Sequence, residues 1–356
     1  MLEDLIFEIL PVIGFAICAS SIFIILVMRK KSSGALIFCL FFAFSDLLSG
    51  IGVMFDGFYG VMTSIYGNTI ETFTPFECVH KAINISLFLI TDYLHILLMA
   101  LFSIDRFIQI IIPVSYGKIS SYFLNWITFI LLFFISVGLS IPGLSYAYTS
   151  RFNTTLRING QCRFDEVVGE DYYLQHILTI QWSPIVCVGL LSITILIYCI
   201  RQTKHKWSYN WSEEHSMTKQ LFGTIFMRCF LSGISVHIPL LMIARTTEGH
   251  EMIQIRDHIV RISYWIVVLV FQPVWYLLIL SKFQANIYSL FNRYSENTER
   301  KWQSADDPPE ENPAHFDRHG SPNPFGSWYS MTGNITGDAG VPIGNERSIS
   351  FYYDNM

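Results

Sequence analysis

Apolar residues fill this chain in seven long blocks separated by short polar breaks. The blocks run at about 5–28, 35–62, 78–112, 124–148, 173–200, 220–244 and 259–280. A helix that crosses a bilayer needs about 20 mostly apolar residues, and each block supplies them. Barrel strands would be about half as long and would alternate apolar with polar. The pattern therefore predicts an all-α membrane protein: a seven-transmembrane helix bundle over residues 5–280, behind a short N-terminal stretch, 1–4. Few charges interrupt the blocks. Glu8 stands in the first, and Asp46 and Asp56 stand in the second.

Beyond the seventh block, Phe283, Ile287, Leu290 and Phe291 recur at helical spacing on one face. That predicts an amphipathic helix over 281–292 lying in the membrane interface. Residues 293–356 are rich in Ser, Pro, Gly, Asn and acid and are expected to be disordered. Ser348, Ser350, Tyr352 and Tyr353 in that tail are candidate phosphorylation sites. There is no internal repeat, which argues against a transporter built from paired halves.

Composition narrows the class. Only 14% of residues are charged, against about 25% in a soluble domain. No dense basic patch appears, so nucleic acid is not an expected partner. The start, Met1-Leu2-Glu3-Asp4, is acidic where a signal peptide needs positive charge. Metal-ligand spacing, a phosphate loop and a nucleophile motif are all missing, so we expect no enzyme, no cofactor and no metal.

Orientation follows from Lys and Arg near the ends of the spans. Eleven lie in the loops after spans one, three and five and just past span seven. Five lie in the other loops. This predicts the N-terminus outside and the C-terminus in the cytoplasm. Of four glycosylation sequons, only Asn153-Thr154-Thr155 falls in an outer loop, so Asn153 is the expected acceptor. Five of seven cysteines lie within apolar blocks, whereas Cys78 and Cys162 lie in polar flanks.

The third span ends in Met99-Ala-Leu-Phe-Ser-Ile-Asp105-Arg106-Phe107, followed by Pro113 and Tyr116. A charge pair where an apolar helix meets water is costly and marks a functional site. The bland alternative is an ion pair that merely flanks a span. Asp46 is a carboxylate in mid-membrane and needs a partner or water.

These features together resemble the rhodopsin-class G-protein-coupled receptors over roughly residues 5–292. Asp105-Arg106-Phe107 is similar to that family's Asp-Arg-Tyr motif. Ser45-Asp46-Leu47 lies in a segment like its Leu-Ala-x-x-Asp run. Gln272-Pro273-Val274-Trp275-Tyr276 resembles Asn-Pro-x-x-Tyr with Gln in place of Asn. His237-Ile238-Pro239 stands where Trp-x-Pro is common, and Pro184 holds the mid-helix place of span five. The departures resemble the large nematode chemosensory receptor families, Srsx-type members among them. Ser stands for Asn near Ser20-Ser21, and Ser192 occupies a position where the family has Tyr.

The resemblance implies roles. Asp105 and Arg106, with Pro273 and Tyr276, would form a G-protein switch, with Tyr198 as a further companion. Lys219 and Arg228 are expected near the same end of span six. The acids there are Glu213 and Glu214, so a latch from Arg106 to span six is doubtful, which leads to an expectation of elevated basal activity. Asp46, His95 and Gln272 would form a polar core, with His95 bonding Asp46 in place of the sodium ion that the family often holds. Cys78 and Cys162 would form the family's disulfide.

For the ligand, the position where amine receptors carry their acid falls on Phe88 or Ile85, which disfavours a biogenic amine. Asp92 lies about four turns from Arg106 on the same side of the helix and is expected to bind either a cationic ligand or a neighbour such as His237. Phe88, Asp92, His176, Thr179, Gln181, His237 and Tyr264 are the pocket candidates, with Leu240 among the apolar neighbours. The expected partners are an extracellular small-molecule ligand (an odorant or pheromone), a heterotrimeric G protein, the lipid bilayer, and arrestin with a receptor kinase at the tail. The expected location is the plasma membrane, including the sensory cilium. A neuropeptide ligand, a seven-span ligand-gated channel or transporter, and a non-coupling decoy receptor are the alternatives.

Overall fold

The structure is a computed structural model and describes residues 2–28, 36–65, 72–111, 122–152, 157–160, 162–204, 212–244 and 259–289. Pro113, Tyr116, Asn153, Leu290, Phe291 and the tail 293–356 lie outside the described residues. So do the side chains of Glu213, Glu214 and Leu240.

Among the described residues, seven helices are long and apolar enough to cross a membrane. Spans one to four are Leu2–Met28, Ile37–Ile65, Ile83–Ile111 and Tyr122–Thr149. Spans five and six are Glu170–Lys204 and Ser212–Ala244, and span seven is Ile259–Ile279. Most outward-facing residues on span four are large and apolar, Phe134 and Ile141 among them. Such a surface is stable only against lipid.

Spans one and two lie close together because glycine lets backbones approach. A methyl group on Gly14 would sit 2.7 Å from the Met54 nitrogen and 2.8 Å from the Gly50 carbonyl oxygen. Span two is the most enclosed helix and feeds a large shared core. Phe38 stacks on Phe102 of span three at 4.8 Å, and Phe41 stacks on Phe129 of span four at 4.3 Å. Aromatic pairs at these spacings bury much area and fix relative helix rotation.

The third apolar block is divided. A separate helix, Pro75–Lys81, precedes span three, and the chain breaks at Ala82. Its start is a capping box: the Glu77 amide donates to Thr74 Oγ1, and the Thr74 amide donates to Glu77 Oε2 at 2.9 Å. Pro75 fits this first turn because its missing N–H would have had no partner there. The break adds residues between Cys78 and span three, so Cys78 stands 28 positions before Arg106 and still reaches its partner.

That partner is Cys162, with the Cα atoms 5.4 Å apart. The bridge pins a cap over this end of the bundle. Residues Thr72–Phe73 pair antiparallel with Ile158–Asn159, and the short helix Phe164–Val168 follows. The Tyr59 hydroxyl donates to the Gly160 carbonyl at 2.9 Å.

At the opposite end a short helix, 281–289, follows span seven. Phe283 is fully buried and meets Tyr276 and Phe23 edge-on. Asn286 Nδ2 donates to the Val27 carbonyl, and Gln220 Oε1 accepts from the Ser281 amide and hydroxyl. The helix is thus fastened to spans one and six.

Candidate functional site

Span three carries groups that matter at three depths. Arg106 lies near its far end, away from the disulfide. The side chain is fully buried, and its guanidinium binds Asp105 through Nε, at 3.0 Å, and Nη2. The guanidinium carbon lies 5.3 Å from the Phe102 ring centre. A buried cation needs such charge pairing and hydrogen bonding to be tolerated. Asp105 supplies both, and the Phe102 ring adds a cation–π contact.

In mid-bundle, Asp46 of span two is wholly buried and receives two side chains. His95 Nε2 lies 2.7 Å from Oδ1. Arg228 of span six donates from Nη2 to Oδ1 at 2.6 Å and from Nη1 to Oδ2 at 3.1 Å. The same guanidinium sits 4.1 Å above the Phe42 ring. A two-pronged guanidinium on a carboxylate is about twice as strong per bond as a neutral hydrogen bond and fixes the geometry as well. It is the reason that a charge in mid-membrane is tolerable here.

Sequence reasoning put Arg228 near Arg106, and the structure corrects this. Span six begins at Ser212, eight residues before its apolar block. Arg228 is therefore more than four turns into the helix. The signal was present: an arginine deep in a membrane helix requires a carboxylate at its own depth.

Nearer the disulfide end, spans three, five, six and seven line a partly open cavity. Asp92 and Arg261 form its polar wall. Arg261 Nη1 donates to Asp92 Oδ2 at 3.2 Å, and His176 Nε2 approaches the same oxygen at 3.1 Å. The Arg261 guanidinium lies between the Phe88 and Phe164 rings, at 5.3 and 5.2 Å. Phe164 belongs to the cap, so the cap packs directly on this ion pair. The rest of the lining is mostly apolar: Met99, Ile177, Ile180, Val236, Val260 and Trp265.

The pocket candidates divide accordingly. Asp92 and Tyr264 line the cavity, and His95 reaches it from below. Phe88 stacks on Trp265 at 5.6 Å and stands behind the wall with His176. Thr179 faces outward and bonds its own helix at the Gln175 carbonyl. His237 turns toward span five, where its Nε2 meets the Gln181 carbonyl at 3.1 Å. Neither His237 nor Gln181 is part of the lining. Asp92 therefore takes Arg261 and His176 as neighbours in place of His237. Periodicity could not separate these cases, because helix rotation is set by packing against neighbours. Arg261 and Trp265 were missed for the same reason.

Span seven contains a π-helical turn, Trp265–Val270, immediately before Gln272 and Pro273. Proline has no N–H to give the carbonyl four residues back, here Leu269, and its ring crowds that carbonyl. The Leu269 carbonyl accepts instead from the Phe271 amide and from the Ser20 hydroxyl of span one at 3.1 Å, a proton that Ser20 shares with the Ile17 carbonyl of its own helix at 2.9 Å. Below this turn, Gln272 Nε2 donates to the Tyr276 hydroxyl at 2.9 Å, and both residues are buried. Ser192 is exposed and bonds its own helix, Tyr198 is half-buried, and Lys219 is exposed.

Residues 19–304 match the model of the seven-transmembrane receptors of the rhodopsin family. The chain belongs to that family, and is a multi-pass membrane receptor. A search of curated protein sequences gave no match.

Proposed function

We propose that this protein is a G-protein-coupled receptor for an extracellular small molecule, of the odorant or pheromone kind. The observation that carries the reading is the layout of span three. Asp92 in the cavity wall and Arg106 at the far end share one helix, roughly 21 Å apart along its axis. A ligand that shifts this helix or its neighbours acts on Arg106 mechanically. His95, between them, adds a link to the Asp46–Arg228 layer.

The mechanism is a population shift between two packings. In the silent state Asp105 holds the Arg106 guanidinium, and Arg228 ties span six to span two through Asp46. Ligand in the cavity favours the packing in which span six moves out and Arg106 is released toward the G protein. His95 and Arg228 together replace a sodium ion at Asp46. Tyr276, beside Gln272 and Pro273, belongs to the same moving layer. The basic loops support a cytoplasmic Arg106 end and an outer disulfide end. In that orientation the helix 281–289 lies at the inner interface. Arrestin and a receptor kinase are the further partners in this reading, and the plasma membrane, including the sensory cilium, is the location.

The test is a ligand panel on cells that express the receptor with a promiscuous G protein, beside Arg106→Ala. Ligand-evoked signalling that Arg106→Ala abolishes is expected. A ligand-evoked current that persists without G protein contradicts the reading in favour of a channel. A response only to peptides contradicts the ligand class.

A further inference from the structure

The full charges around the cavity cancel. Asp92 and Arg261 in its wall pair at 3.2 Å, and Asp46 and Arg228 in the layer beneath pair at 2.6 Å. The side chains of Asp92 and Arg261 are only 15% and 12% exposed, so water contributes little to either. A cationic ligand at Asp92 must compete with Arg261 and His176, which already share one of its oxygens, and an anionic ligand at Arg261 must compete with Asp92. Neither finds a net charge in the wall to offset the loss of its own hydration.

The serine donors of the lining are committed: the Ser183 hydroxyl donates to the Ile180 carbonyl and the Ser232 hydroxyl to the Arg228 carbonyl, each on its own helix. His95 is different. Its Nε2 faces Asp46, which as a carboxylate only accepts, so Nε2 carries the proton. In the neutral ring, Nδ1 is then a lone-pair acceptor on a residue that lines the cavity. The Tyr264 ring supports the imidazole edge-on at 6.3 Å.

We infer that the cavity takes an uncharged, largely apolar molecule carrying one hydroxyl, whose O–H donates to His95 Nδ1. The inference rests on the reading of this cavity as the ligand site, and it names the chemical class. It replaces the cationic ligand that Asp92 alone suggests.

The full chain in lipid nanodiscs is titrated with decanol, decyl methyl ether, decylamine and decanoate. The readout is the tryptophan emission that is lost in Trp265→Phe, since Trp265 lines the cavity. A cavity-filling Val236→Trp variant separates binding from partition into lipid. Decanol is expected to bind saturably, and its methyl ether up to about tenfold more weakly for want of the donor. The amine and the carboxylate are expected to bind more weakly still, and His95→Phe to make alcohol and ether equal. The alcohol–ether comparison on the wild-type chain stands alone if His95→Phe does not fold. Decylamine or decanoate binding as tightly as decanol overturns the uncharged class and leaves the ligand site in place. Ether binding as tightly as alcohol overturns the role of His95. No saturable response to any of the four overturns the cavity as a small-molecule site.

Discussion

Arg228 on span six grips Asp46 on span two, with 2.6 Å between Nη2 and Oδ1 and 3.1 Å between Nη1 and Oδ2. The sequence had left span six without a clear acid to hold Arg106, which led to an expectation of elevated basal activity. A tether in mid-bundle changes that expectation, because span six cannot swing without stretching this pair.

Removing one partner is therefore expected to destabilise the fold and raise basal signalling. Arg228→Gln strands a buried carboxylate, a loss on the order of 3–5 kcal/mol. The double variant Asp46→Asn/Arg228→Gln leaves no stranded charge and is expected to lose less than the sum of the singles. Thermal unfolding of the four proteins in nanodiscs measures the coupling. Additive losses contradict the pair.

Sodium dependence separates Arg228 from His95. With the guanidinium in place, replacing sodium by choline is expected to leave the unfolding midpoint unchanged, in the wild-type chain and in His95→Ser alike. Sensitivity is expected only once Arg228 is also removed, because Asp46 then needs another cation. A sodium effect on the wild-type chain would show that Arg228 does not occupy the site.

Ser20→Ala is expected to loosen the π-helical turn of span seven. Hydrogen bonds between membrane helices contribute about 0.6 kcal/mol on average, so the loss is small but measurable. Ser20→Thr keeps the hydroxyl and most of the stability. Ser192→Ala, at an exposed serine that bonds only its own helix, serves as the neutral control. Equal midpoints for Ser20→Ala and Ser192→Ala contradict the assignment.

The capping box gives the loop helix a pH dependence. The Thr74 amide bonded to Glu77 holds its carboxyl below the usual carboxylate range. A depressed pKa adds stability above the ordinary value, and that stability is lost as pH falls through the lowered one. Amide exchange at Glu77 and Cys78 is thus expected to quicken on acidification and to be insensitive to pH in Glu77→Gln beyond the intrinsic rate. Water screens so exposed a group, and the effect stays local.

The bundle was legible because span length and apolar character are properties of single segments. Helix rotation is not such a property. Asp92 was reached by counting turns from Arg106, whereas no spacing in the sequence told Tyr264, which lines the cavity, from Thr179, which faces outward. Arg228 and Asp46 lie 182 positions apart, and only the bundle brings them together. The break at Ala82 was readable in principle: Thr74-Pro75-Phe76-Glu77 is a helix-start signature, masked by the apolar residues on both sides.

The most direct test of the central claim is nucleotide exchange on a purified heterotrimeric G protein, catalysed by the full chain in nanodiscs. An activating ligand is expected to accelerate exchange through the wild-type receptor. Arg106→Ala, which keeps the cavity, is expected to bind the ligand with unchanged tryptophan response and to catalyse no exchange. Exchange through Arg106→Ala at the wild-type rate contradicts the account.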